Sequence, residues 1–180
     1  MEAFESFVRR LVKCLNSAGL DYMFTGALAA SYYGMARTTS DVDVIVAVKN
    51  SKERRRLVLA LRDAGLKADE KKVDDAVRSG YGIATFCDGK SPLTVDVILR
   101  EKELVKRRGM VVGLPTFFQA PEDLILAKLR MIKATFPRER ALKDREDVRA
   151  ILRFADVDVE ALEKQAERDS TLSILKSLSN

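Results

Sequence analysis

Three aspartates stand where a carboxylate is expensive. Asp41 and Asp43 alternate with valines in the run Asp41-Val42-Asp43-Val44-Ile45-Val46-Ala47-Val48. Side chains alternate along a strand, so both carboxylates project to one face, ~6–7 Å apart at the backbone. Ile45 and Ala47 continue that face, which therefore enters the core two residues later. Unpaired, the two acids repel each other and resist burial. A divalent cation between them removes that cost, and paired carboxylates with phosphate oxygens make a usual Mg²⁺ site. The plainer alternative is a pair of solvated edge aspartates, or partners for Arg37. Asp96 lies in a second apolar run, Val95-Asp96-Val97-Ile98-Leu99, where a carboxylate is out of place. If the two strands are neighbours, three carboxylates converge. That is the donor set of two-metal phosphoryl or nucleotidyl transfer, with Asp41 and Asp43 on both ions. Asp96 would hold one ion and favour deprotonation of an acceptor hydroxyl. A salt-bridged strand acid is the alternative for Asp96.

Other residues could serve the same chemistry. Gly26 closes one strand and opens a helix, where backbone N–H groups can meet a phosphate. Arg37 is a candidate triphosphate contact, and Thr38, Thr39 and Ser40 bring hydroxyls. The chain has no histidine, which excludes Ser-His-Asp and Cys-His catalysis and histidine-based zinc sites. Chemistry must then rest on carboxylates, Lys, Arg, Tyr or Thr, with an oxygen-preferring metal. Cys14 and Cys87 are far apart and lack metal-ligand spacing, so buried, reduced thiols are expected.

The elements that must position these groups follow from periodicity. Phe4, Phe7, Val8, Leu11, Val12 and Leu15 recur at helical spacing and predict a helix over 2–18, ended by Gly19. Strands are expected over 21–26 and 41–48, with a short helix between them. Ser51 opens a helix that Gly65 stops, and a shorter helix follows over 71–80. Strands over 81–89 and 91–99 join through a hairpin-like turn. A short helix is expected over 101–109, then an extended segment over 110–120. Helices are expected over 121–135, with Pro121 in the first turn, over 138–154, and from Val159 onward. The last ten residues are expected to fray. This is an α/β (α+β) fold: a small mixed β-sheet core over 1–119 with flanking helices, and a C-terminal helical subdomain over 120–180.

Composition sets bounds. The 180 residues are 47% hydrophobic, enough to bury a core, and the net charge of +5 leans toward polyanionic partners. Acids are interspersed in every basic cluster, which reads as solvated surface. No apolar run is long enough to span a membrane, and no signal-peptide pattern opens the chain, so a cytoplasmic protein is expected.

Gly26-Ala27, Asp41-Val42-Asp43 and Asp96 together resemble the polymerase-beta-like nucleotidyltransferase superfamily. Its signature is a strand, Gly-Gly or Gly-Ser, a helix, Asp-x-Asp/Glu, and a third acid on a later strand. The segment from Pro121 to Leu152 is similar to one found in small prokaryotic abortive-infection and toxin-type nucleotidyltransferases. The matching positions are Lys128 on its first helix, and Lys143, Asp144 and Asp147 on its second. The resemblance implies binding of two Mg²⁺ (or Mn²⁺) ions and an NTP, and transfer of a nucleoside monophosphate with release of pyrophosphate. The implied acceptors are tRNA or another nucleic acid, a protein, or a small hydroxylated molecule. An antitoxin partner and a homodimer are further implied associations. Ala27 departs from the signature: the backbone N–H remains, but the hydroxyl contact to phosphate is lost. A catalytically weak module that binds nucleotide, RNA or a partner protein is therefore the rival reading. Lys128 shares a helical face with Leu124 and Ile132, at the edge of a buried stripe. From there it could reach a nucleotide phosphate, or snorkel over apolar surface. Arg140, Asp144 and Asp147 also share a face, and an Arg140–Asp144 pair is the structural alternative there.

Overall fold

A computed structural model describes residues 2–34, 36 and 39–179, with Arg138 and Arg140 described by backbone alone. The chain forms two compact units, Met1–Gly26 with Thr39–Phe118, and Ala27–Thr38 with Gln119–Asn180. Among the described residues no helix is long and apolar enough to cross a membrane.

The first unit carries α1 (Glu2–Ser17), β1 (Tyr22–Phe24), β2 (Asp41–Ala47), α3 (Ser51–Asp63), α4 (Glu70–Arg78), β3 (Ile83–Cys87), β4 (Thr94–Arg100), β5 (Lys106–Val111) and, apart from its last residue, β6 (Leu114–Gln119). The strands form one mixed sheet in the order β3-β4-β2-β1-β6-β5. β2 runs parallel to β4 and antiparallel to β1, while β3 and β4 are an antiparallel hairpin. The helical stripe of α1 is its buried face: Phe7, Val8, Leu11, Val12 and Leu15 are almost fully enclosed. Each such side chain contributes about 1.5–3 kcal/mol by leaving water. Tyr22 ties this face to the sheet. Its hydroxyl donates to Asn16 at 2.8 Å and lies 2.9 Å from the Thr116 hydroxyl.

The predicted helix over 101–109 is corrected. Residues from Lys106 form strand β5, which makes a hairpin with β6. That segment has no apolar stripe at helical spacing, so tertiary contacts decide its conformation. Asp21 accepts from the Leu104 N–H at 3.0 Å and pairs with Lys106, whose ammonium lies 4.2 Å from the Phe117 ring centroid. Val112 (φ 45°) and Gly113 (φ 76°) then close the tight two-residue turn that suits strand twist. The expectation of buried cysteines is also corrected: Cys14 is half-buried. Cys87 is exposed, because β3 alternates exposed and buried residues and Cys87 shares the open face with Ile83 and Thr85.

The second unit is helical: α2 (Gly26–Tyr33) apart from its first residue, α5 (Pro121–Ala134), a 3₁₀ turn (Arg138–Ala141), α6 (Leu142–Phe154), α7 (Val159–Arg168) and α8 (Leu172–Leu178). The predicted 138–154 helix therefore opens with a 3₁₀ turn. Where fraying is expected, Leu172–Leu178 form α8, which buries Leu175 and Leu178, and Thr171 just before it is fully enclosed. Gly34, at the end of α2, is required by close approach to α6. A Cβ there would lie 2.8 Å from the Ala150 Cβ.

Candidate active site

The parallel register of β2 and β4 sets Asp43 directly beside Asp96, and Asp41 beside Thr94. Neighbouring strands are ~4.8 Å apart, and side chains at matched positions share a face. Asp41, Asp43 and Asp96 each offer a carboxylate oxygen, and these three oxygens lie within 4.8 Å of one another. Two residues further on, the same rows are occupied by Ile45 and Ile98. The acids thus sit where a partly open face gives way to core.

Each outer carboxylate is held by a threonine. Thr39 Oγ1 donates to Asp41 Oδ1 at 2.6 Å, and Thr85 Oγ1 donates to Asp96 Oδ1 at 2.6 Å. Thr85 is the β3 residue in register with Asp96. Its strand is held in turn by Lys72 of α4, which donates to the Thr85 carbonyl and lies 5.4 Å from the Phe86 ring centroid. Thr85 had no expected role from sequence, because its pairing with Asp96 depends on the hairpin register. The alternation of Ala84-Thr85-Phe86-Cys87 was the available signal for its face.

Gly26 stands against the third carboxylate. It has φ +58°, and a Cβ built there would lie 1.9 Å from Asp43 Oδ2. The Thr25 N–H donates to the Asp43 carbonyl at 3.0 Å, which continues the β1–β2 ladder to the start of α2. Glycine is thus needed twice over, for the left-handed backbone and for the space its missing side chain leaves.

This donor set suits a hard divalent cation. All three groups are oxygen ligands, their summed charge is negative, and Gly26 leaves Asp43 Oδ2 uncovered by any side chain at position 26. The fit extends to Mg²⁺ and Mn²⁺, which favour carboxylate and water oxygens.

The remaining predicted residues belong to the second unit or lie outside the described residues. Lys128 does not snorkel: it is 5% exposed, and its ammonium lies 2.9 Å from Asp144 Oδ1 and 2.7 Å from Asp147 Oδ2. This cluster joins α5 to α6 inside the second unit. Lys143 is exposed on α6, and Ala27 is buried in the first turn of α2. Arg37, Thr38 and the side chain of Arg140 lie outside the described residues.

No protein-family model matches the chain, and no curated protein matches it. Solved structures do. The antibiotic-resistance factor ANT(2'')-Ia in solution superposes with a TM-score of 0.67 at 14% identity, covering 98% of this chain and 97% of that one. A crystal structure of ANT(2'')-Ia with adenylyl-2''-tobramycin gives a TM-score of 0.65 at 12% identity, over 97% and 98% of the two chains. An antigenic nucleotidyltransferase-like protein from Paracoccidioides brasiliensis gives 0.56 at 14% identity, over 94% and 92%. The chain therefore has the nucleotidyltransferase fold, a mixed six-stranded sheet with flanking helices.

Proposed function

We propose that the chain is a metal-dependent nucleotidyltransferase that moves a nucleoside monophosphate from an NTP to a hydroxyl acceptor and releases pyrophosphate. The observation that carries this reading is the convergence of Asp41, Asp43 and Asp96 on matched strands of a nucleotidyltransferase-type sheet. These three residues would hold two Mg²⁺ or Mn²⁺ ions. Bound there, the ions would draw charge from the phosphoryl oxygens and offset the charge that develops on pyrophosphate.

The protein's own groups do the rest. Thr39 and Thr85 fix the orientation of Asp41 and Asp96, so that little reorganisation accompanies binding. Asp96 accepts a proton-sharing contact from the acceptor hydroxyl. Gly26 and the Ala27 N–H would meet the triphosphate, and Arg37 and Thr38 are proposed as further contacts. Residues 1–119 are proposed to carry this chemistry, with 120–180 as a helical subdomain. Lys128 takes a bracing role through Asp144 and Asp147, because an ammonium already held by two carboxylates has little to offer a phosphate.

A small hydroxylated molecule is the acceptor class best supported, because ANT(2'')-Ia was solved with an adenylylated small molecule. The test offers each α-labelled NTP with Mg²⁺ to a panel of hydroxylated small molecules, pooled tRNA and protein. Label on a small molecule, lost in Asp43→Asn, is the expected result. Label on tRNA or protein would move the acceptor. No transfer, with no NTP-induced rise in melting temperature, would favour the catalytically weak module suggested by Ala27.

A further inference from the structure

The parallel pair β2–β4 has two ends, and the carboxylates use the amino ends. At the carboxyl ends lies a separate cavity of about 260 Å³ within the first unit. In α/β sheets, ligands commonly bind beyond the carboxyl ends of parallel strands. Val48 and Leu99 form its apolar wall together with Val77 of α4. Lys49 follows β2 and Arg100 ends β4, and both line the cavity. The two segments are stitched together there by the Val48 N–H, which donates to the Arg100 carbonyl at 2.7 Å. Neither Lys49 nor Arg100 is in an ion pair among the described residues. Arg54 also lines the cavity, but Asp74 holds it at 2.9 Å. Glu101 also lines the cavity, and Arg100 Nη1 donates to the Leu99 carbonyl at 3.0 Å. Lys49 and Arg100 still outnumber this one acid beside the apolar wall, which suits an anion carrying a small organic body.

We propose that this cavity is a second ligand site that takes a small phosphomonoester, with Lys49 and Arg100 on the phosphate. The body of the ligand lies against Val48, Val77 and Leu99, which a polynucleotide backbone would not require. The site stands apart from the carboxylate triad and does not depend on the transferase reading.

The test is a titration of the full chain with a nucleoside monophosphate and with inorganic phosphate, in EDTA, followed by ³¹P NMR and calorimetry. EDTA removes the divalent ions through which Asp41, Asp43 and Asp96 would otherwise attract phosphate. Saturable binding is expected, weakened at least tenfold in Lys49→Ala/Arg100→Ala and unchanged in Asp43→Asn. Both cations are exposed, and an unaltered melting temperature of the double variant shows that its fold is intact. Absence of saturable binding at millimolar ligand, or equal binding by the double variant, overturns the proposal. So does tighter binding of a short single-stranded RNA than of the monophosphate. Loss of label transfer with retained binding in EDTA would instead count against the transferase reading alone.

Discussion

Gly26 and Asp43 are in such close contact that no side chain fits between them: a Cβ at position 26 would lie 1.9 Å from Asp43 Oδ2. Gly26→Ala should therefore act twice. The left-handed backbone costs an L-residue about 1–2 kcal/mol, and the added methyl must push the Asp43 carboxylate from its place. Thermal denaturation should show a lower melting temperature, and Mn²⁺ binding should weaken well beyond what the stability loss explains. A variant that binds Mn²⁺ like the wild type would show that Asp43 does not need this position.

Thr85 Oγ1 donates to Asp96 Oδ1, and in the proposed site it positions that carboxylate. Thr85→Val removes the 2.6 Å hydrogen bond while keeping shape at a partly open site. Second partners of metal ligands are worth about 10–100-fold in affinity. Mn²⁺ affinity should fall by about tenfold or more with little change in melting temperature, and Thr85→Ser should restore it. Equal affinity in the valine variant would assign Thr85 to the hairpin alone.

Lys128 is buried between Asp144 and Asp147, at 2.9 and 2.7 Å. Lys128→Met leaves two carboxylates without their cation, and breaking such a buried pair costs about 3 kcal/mol. For a chain of this size that lowers the melting temperature by about 6–12 °C. Adding Asp147→Asn should recover part of the loss. If Lys128 acted only on a bound nucleotide, the ligand-free melting temperature would not change.

Asp88 supplies a pH dependence. Burial opposes its ionisation, but the Ser91 hydroxyl, the Arg10 guanidinium at 2.7 Å and the Lys90 backbone outweigh it and hold the carboxyl below the usual range. A lowered folded-state pKa stabilises the fold above the unfolded value of about 3.9 and is lost as pH falls through the folded value. Asp88→Asn should therefore be less stable than the wild type above about pH 5, by about 1–3 kcal/mol. The gap should narrow as denaturation is followed below pH 4. A constant gap would mean that the Asp88 charge does not contribute.

How far the sequence reaches depends on the range of the interaction. Asp41, Asp43 and Asp96 were legible because period-two alternation is local and a carboxylate in an apolar strand is conspicuous. Their convergence also needed β2 and β4 to be neighbours, which alternation alone does not specify. Strand β5 was misread because Asp21, 85 positions from Lys106, contributes to its conformation. Helical spacing puts Lys128 at the edge of a buried stripe, but the side chain is buried between two carboxylates from another helix, which spacing within α5 cannot reveal. Thr85 escapes sequence reading for the same reason, since its contact with Asp96 arises only from hairpin register.

The proposed function requires that Asp41, Asp43 and Asp96 act as one metal-dependent nucleotide site. Mn²⁺ titration followed by electron paramagnetic resonance, with and without a non-hydrolysable NTP analogue, tests it most directly. Saturable Mn²⁺ binding that the analogue tightens is expected, with a loss of at least tenfold in each of Asp41→Asn, Asp43→Asn and Asp96→Asn. Wild-type protein that leaves the free Mn²⁺ signal unchanged, or variants that bind as the wild type does, would contradict it.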